Sequence, residues 1–170
     1  MKKLFLIFIG ILLFNLVVKG QSSQLYDGDY YIENVEFVNY FLSINQDGQV
    51  VLEQSRGEKN NQIWTYEYYG VGSLRDKVSG KALNHVDFDV KRDWIYSEIQ
   101  KVNIDLIEAD QDYNTPGCYW DFESYNQEEG LFMIKASKLI IEAFVGVDAD
   151  NSIGLLPWSD SSVWKFIPVE

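Results

Sequence analysis

The 170-residue chain contains one cysteine, Cys118, and one histidine, His85. A lone cysteine excludes an internal disulfide, so the fold must be held by packing alone. Beside Tyr119 and Trp120 the thiol reads as a small buried hydrophobe rather than a nucleophile. One histidine and one cysteine cannot close a zinc site, and a Ser-His or Cys-His catalytic pair would have to be built on His85, which follows Asn84 at a strand end. Glycine-rich phosphate motifs and Asn-x-Ser/Thr sequons are both absent. Positive charge is scarce, with 14 Lys and Arg against 26 Asp and Glu and a formal net charge of -12. Such a surface repels phosphate backbones and anionic lipid, which argues against nucleic acid as a partner. Carboxylates are abundant, but glycoside hydrolysis needs a placed pair, and abundance is not geometry. The expectation is a protein that is not an enzyme and carries no cofactor.

The one long apolar run is N-terminal. Met1, Lys2 and Lys3 precede residues 4–18, which carry no charge, and the run ends at Val18-Lys19-Gly20. It is shorter than the roughly 20 apolar residues of a membrane-spanning helix. A basic start, a short apolar stretch and small residues at its end predict a cleavable export signal over 1–20, cut between Gly20 and Gln21. The mature chain, 21–170, is then secreted or periplasmic, with no membrane insertion after cleavage. Losing Lys2, Lys3 and Lys19 takes the net charge from -12 to -15. The remainder has the size of a single domain that buries a core unaided.

From Asp27 onward, short aromatic and β-branched runs alternate with turn residues, and no helical period persists. Tyr30-Tyr31-Ile32, Phe41-Leu42-Ser43-Ile44, Val50-Val51-Leu52 and Ile63-Trp64-Thr65-Tyr66 read as strands, and Asp47-Gly48 as the turn of a hairpin. The pattern repeats. Gln62-Ile63-Trp64-Thr65-Tyr66, Cys118-Tyr119-Trp120-Asp121-Phe122 and Ser162-Val163-Trp164-Lys165-Phe166 share the form x-apolar-Trp-x-aromatic. Strands led by Gly28, Gly72 and Gly130 are each followed by a second apolar strand, at 40–44, 81–84 and 138–141. The spacing from Trp64 to Trp120 is 56 and from Trp120 to Trp164 is 44, so the middle unit carries an insertion, placed at 87–100. Three four-stranded units predict a closed twelve-stranded barrel capped by hairpins, which leaves no sheet edge exposed.

The frame Gly-x-Tyr-Tyr-Ile-x-Asn-Val at 28–35, then Tyr-Phe-Leu-Ser-Ile, Asp-Gly, Val-Val-Leu and Asn61-Gln62-Ile63-Trp64, resembles one subdomain of a ricin-B-type β-trefoil lectin, whose mark is Gln-x-Trp. The likeness covers the mature chain through the threefold pattern. The motif itself stands only in the first unit, since Cys118 and Ser162 replace the Gln in the others. The resemblance implies an all-β, β-trefoil fold of twelve strands in three pseudo-equivalent units, about 26–69, 70–126 and 127–170. It also implies a sugar pocket made of an Asp near the end of the second strand, a stacking aromatic ring and an Asn before Gln-x-Trp. Asn61 and Gln62 match; Ser43 stands at the Asp position with Glu53 near the aromatic one. Asn84 takes the Asp position in the second unit, and Ile141 or Glu142 in the third, with Leu156 near the stacking position. No unit holds the complete pocket. The function so implied is that of a secreted, non-enzymatic carbohydrate-binding protein that engages a glycan or glycoprotein surface through its loops. The same frame serves β-trefoil protease inhibitors, so the alternative is an inhibitor whose 87–100 loop enters a protease cleft; a structural or adhesive role is a third reading.

The three motif tryptophans read as core plugs, because identical placement in three units is what a threefold core demands. Trp94, in the charged insertion, and Trp158, in Pro157-Trp158-Ser159-Asp160, read instead as loop residues, where a ring either stacks on a ligand or packs the loop. Asp148-Ala149-Asp150-Asn151-Ser152 imitates the start of a calcium loop, but Ile153 replaces the needed Gly and no Glu stands at the twelfth position, so no metal is expected there.

Overall fold

A computed structural model of the chain describes residues 25–55, 60–85, 102–108, 116–137 and 142–170. The expected export signal, the 87–100 insertion with Trp94, and the strand expected at 138–141 lie outside the described residues.

Twelve strands follow one another: β1 (Gly28–Asn34), β2 (Tyr40–Ile44), β3 (Val50–Gln54), β4 (Ile63–Tyr68), β5 (Gly72–Asp76), β6 (Ala82–His85), β7 (Val102–Ile107), β8 (Trp120–Asn126), β9 (Leu131–Ala136), β10 (Phe144–Val147), β11 (Ile153–Leu156) and β12 (Val163–Pro168). Among the described residues there is no α-helix. Short 3₁₀ turns at Asn60–Gln62, Pro116–Cys118 and Asp160–Ser162 lead into the three tryptophan strands. The second strand of the third unit is β10. The hairpin expected at Asp47-Gly48 is present, with Gly48 at φ 77° and its N–H donating to the Asn45 carbonyl at 3.1 Å.

Strands β1, β4, β5, β8, β9 and β12 pair in that order and return to β1, all antiparallel, so the barrel is closed. Hairpins β2–β3, β6–β7 and β10–β11 cap one end. Their neighbours β7 and β11 pair with each other. The link from β6 to β7 spans 16 residues where the other two hairpins use five, which places the middle unit's insertion between these two strands.

The registers carry the threefold repeat to single residues. Ile32 faces Phe166, Leu74 faces Tyr66 and Ile134 faces Phe122 across the pairs that join one unit to the next. At the matching step beyond, Asn34 faces Trp164, Asp76 faces Trp64 and Ala136 faces Trp120. Three backbone bonds repeat in step: Val35 N–H to the Val163 carbonyl at 3.1 Å, Lys77 to Ile63 at 3.0 Å, and Ser137 to Tyr119 at 3.1 Å. This register makes Gly70, rather than Gly72, the counterpart of Gly28 and Gly130. Gly72 sits where the other units carry Tyr30 and Phe132. A Cβ there would lie 2.2 Å from the Phe122 ring, which fills the space a side chain would need.

One inward residue from each barrel strand forms the central layer, Ile32, Trp64, Leu74, Trp120, Ile134 and Trp164, and none has any exposed surface. Each indole N–H donates to a carbonyl on its own unit's second strand: Trp64 to Leu42 at 2.9 Å, Trp120 to Leu83 at 3.0 Å and Trp164 to Val145 at 2.8 Å. A buried ring removes about 200 Å² from water, worth about 5 kcal/mol of transfer free energy, and here its one polar atom is satisfied as well. The next layer is aromatic. Phe166 makes edge contacts with Tyr30, Phe122 and Phe132 at 5.5 to 5.9 Å between ring centres, and Tyr66 meets Phe122 at 4.8 Å. This plug replaces the disulfides that the chain does not have.

Candidate functional site

The indole bonds locate the second-strand position at which the lectin resemblance expects a sugar-binding Asp. Leu42, Leu83 and Val145 are equivalent acceptors, so the next residues, Ser43, Asn84 and Gly146, are equivalent too. The third unit's residue is therefore Gly146, not Ile141 or Glu142. Ile141 lies outside the described residues, and Glu142 is an exposed side chain that accepts from Lys135 Nζ at 3.0 Å.

At the end of each 3₁₀ turn, two residues before the tryptophan, stand Gln62, Cys118 and Ser162, and each meets that second-strand residue inside the protein. Gln62 Nε2 donates to Ser43 Oγ at 2.9 Å, and Ser43 Oγ donates in turn to the Phe41 carbonyl at 2.9 Å. The Cys118 thiol lies 3.8 Å from Asn84 Oδ1, while Asn84 Nδ2 donates to Asp105 Oδ1 at 3.0 Å. A Cβ on Gly146 would approach Ser162 Oγ to 2.8 Å. The pairs are thus long with short, middle with middle, and short with none, and they fill similar space in three ways. Gln62, Ser43 and Asn84 are all buried and bonded within the fold. Asn61 is half-buried and donates to the Ile44 carbonyl at 2.7 Å. Its third-unit counterpart Ser161 does the same to the equivalent Val147 carbonyl at 2.9 Å. These residues brace the hairpin against the barrel. Glu53 lies on β3 opposite Phe41, and Leu156 ends β11 opposite Phe144.

Burial also sets the chemistry of the middle unit. It pushes the Cys118 thiol up to about 11, so the sulfur stays protonated and unreactive at neutral pH. It holds His85, packed edge-on against Trp120 at 5.5 Å, below its ordinary value of 6.5. Between that depressed value and 6.5 the unfolded chain binds a proton that the native state refuses, so stability falls as pH drops through this window. The slope approaches about 1.4 kcal/mol per pH unit for one group. Because His85 is the only histidine, His85→Asn is expected to flatten the stability profile of urea melts between pH 7 and 5.5. An unchanged slope in the variant would assign the loss to carboxylates instead.

The third unit presents an exposed tryptophan. Trp158, in the link from β11 to β12, is 55% exposed. Its support is fixed: Ser159 Oγ lies 2.9 Å from Ser161 Oγ and 3.3 Å from Ser162 Oγ, and the Ser162 N–H closes the turn on the Ser159 carbonyl at 3.0 Å. From the other side, Asn34 Nδ2 donates to the Ser161 carbonyl at 2.9 Å. The exposed carboxylate of Asp160 stands on the same turn. A flat indole on a braced turn, with carboxylate and hydroxyl groups beside it, can stack on an apolar ring face and accept hydrogen bonds from hydroxyls around its edge. The Asp148–Ser152 segment is the β10–β11 turn, closed by Asp148 N–H to the Ser152 carbonyl at 2.9 Å with Asn151 at φ 61°. Among the described residues no cluster of His, Cys, Asp and Glu suits a metal ion.

No family model and no curated protein matches the sequence. Among solved structures, the ricin B-like lectin of Macrolepiota procera, in complex with lactose, is similar at a TM-score of 0.64 and 14% identity, covering 86% of this chain and 99% of that one. The Rhizoctonia solani agglutinin is similar at 0.62 and 18%, covering 86% and 98%. The designed threefold-symmetric protein ThreeFoil is similar at 0.63 and 16%, covering 84% and 100%. The chain is an all-β, twelve-stranded β-trefoil, and its structural neighbours are ricin B-like lectins and other β-trefoil proteins.

Proposed function

We propose that the chain is an exported, non-enzymatic carbohydrate-binding protein that holds neutral glycans on the third-unit turn rather than in the buried positions of the lectin pocket. The carrying observation is Trp158, a large ring left exposed on a turn braced by three serine hydroxyls and Asn34. Ring stacking on a sugar supplies the affinity, and Asp160 and Ser159 supply acceptors for its hydroxyls. Support also comes from the fold, which whole-chain lectins share at full length. Neutral sugars suit the -12 net charge better than sialylated or sulfated ones. On an array of neutral and acidic glycans, binding to a neutral subset is expected, with Trp158→Ala weakening it about tenfold or more, in line with the loss of a central aromatic anchor. A blank array, or binding indifferent to Trp158, removes the proposal.

A further inference from the structure

The barrel end opposite the hairpins is formed where β1 begins, β12 finishes, and β4–β5 and β8–β9 turn. Strand alternation gives β4 the inward series Trp64, Tyr66, Tyr68; the first two are buried, and Tyr68 is 47% exposed because the barrel has no further layer beneath it. Tyr125, 52% exposed, lies in the β8 bulge between Ser124 and Asn126, just before the β8–β9 turn. Tyr26, 75% exposed, precedes β1. Its segment is tied to the β4–β5 turn, since Tyr30 Oη donates to the Tyr26 carbonyl at 2.7 Å and the Tyr68 N–H donates to Asp27 Oδ1 at 2.9 Å. Exposed rings gathered at one end of a β domain mark a contact surface.

Charge decides what meets it. The stretches 25–31, 67–73, 123–131 and 166–170 that build this end hold seven carboxylates and no Lys, Arg or His. Three are matched by cations from higher on the barrel: Asp29 by Lys77 at 2.8 Å, Glu67 by Arg75 at 3.5 Å and Glu123 by Lys135 at 2.8 Å. Asp27, Glu128, Glu129 and Glu170 are exposed and in no ion pair among the described residues. This leaves an aromatic face with a surplus of negative charge. A second copy of the same acidic chain would be repelled, and a neutral sugar can use carboxylates as hydrogen-bond acceptors but gains no Coulomb attraction from the surplus. A guanidinium gains twice, by lying on the electron-rich ring faces and by forking onto carboxylates.

We propose that the open end of the barrel docks a cationic polypeptide segment, its arginines stacked on Tyr26, Tyr68 and Tyr125 and paired with Asp27, Glu128, Glu129 and Glu170. The test measures binding of fluorescein-labelled hexa-arginine and hexa-lysine by anisotropy at low and high salt. The protein is expected to bind hexa-arginine more tightly than hexa-lysine, with the affinity falling in 0.5 M salt, as surface charge contacts do. An exposed cation–π contact is worth about 2- to 5-fold in affinity, so Tyr26→Ser/Tyr68→Ser/Tyr125→Ser is expected to lose about tenfold or more. Its thermal melt serves to show that the fold is kept, and Glu128→Gln/Glu129→Gln, which leaves every ring in place, is expected to weaken both peptides. Equal binding of the two peptides, indifference to the three rings, or no binding at low salt overturns the proposal. A concentration-dependent dimer in sedimentation that the ring variant abolishes overturns it in favour of a second copy as occupant.

Discussion

Trp120→Ala is expected to lower the stability of the chain by about 4–8 kcal/mol. The indole is fully buried in the central layer, and truncating such a ring costs about 3–5 kcal/mol in transfer free energy and cavity. The Leu83 carbonyl also loses the N–H that reaches it at 3.0 Å, and an orphaned buried acceptor adds about 1–3 kcal/mol. Against a total stability of about 5–15 kcal/mol, that sum removes most of the margin. The neighbouring unit cannot fill the gap, because Ile32, Leu74 and Ile134 are already packed and His85 rests on the same ring. Urea melts followed by circular dichroism check it, with Trp158→Ala as the matched control: an exposed ring is expected to cost about 0.5 kcal/mol or less. Similar losses in the two variants would mean that Trp120 is not a plug, and the threefold account of the core would fall with it.

Much of this fold can be read from the sequence, and the reasons differ from element to element. Local signals suffice where chemistry and position coincide. Asp47-Gly48 demands a turn because Gly takes the positive φ, here 77°, without strain, and alternation around Tyr30, Ile32 and Asn34 gives β1 its inward face. The x-apolar-Trp-x-aromatic repeat identifies three units because each must supply the same plug. The third unit's second strand is harder. Its tryptophan follows Gly146 by 18 residues, while Trp64 follows Ser43 by 21, and two apolar runs, 138–141 and 144–147, compete for the assignment. Composition cannot arbitrate; the indole bond to Val145 does. The candidate site is less legible still. Gln62 with Ser43, Cys118 with Asn84 and Ser162 with Gly146 compensate each other in space across separations of 16 to 34 residues, so Gln62, Ser43 and Asn84 read from residue type as ligand contacts, while in the fold each is buried and bonded to a neighbour. Trp158 was legible as a loop residue after Pro157, although its bracing was not. The tyrosines of the barrel mouth escape any alternation rule, since Tyr66 and Tyr68 share a face and only barrel depth separates buried from exposed.

If those braces exchange volume as the geometry indicates, the middle unit's glycine is as restrictive as any core residue. Gly117 sits at the position of Asn61 and Ser161, in ordinary backbone conformation, yet a Cβ there would lie 2.1 Å from Asn84 Oδ1 and 3.0 Å from the His85 carbonyl. The side chain must yield, because the carbonyl belongs to a strand paired with β7. Moving Asn84 breaks its bond to Asp105 and disturbs the Cys118 contact. Gly117→Ala is therefore expected to destabilise by about 2–3 kcal/mol, the upper range for forced overpacking. The third unit shows the remedy: there Ser161 stands at this position with Gly146 in place of Asn84, and Ser161 Oγ reaches the Val147 carbonyl at 2.9 Å. Asn84→Gly alone is expected to cost about 2–3 kcal/mol, through strand entropy and the loss of the bond to Asp105. Combined with Gly117→Ser, it opens the space, and a hydroxyl gains the His85 carbonyl as acceptor. In a double-mutant cycle of urea melts, Gly117→Ser/Asn84→Gly is expected to be more stable than the sum of the two single variants by about 1–2 kcal/mol, a coupling that independent sites do not show. Additive losses would mean that Gly117 is small for a reason other than Asn84, and that the three units do not trade volume at this corner.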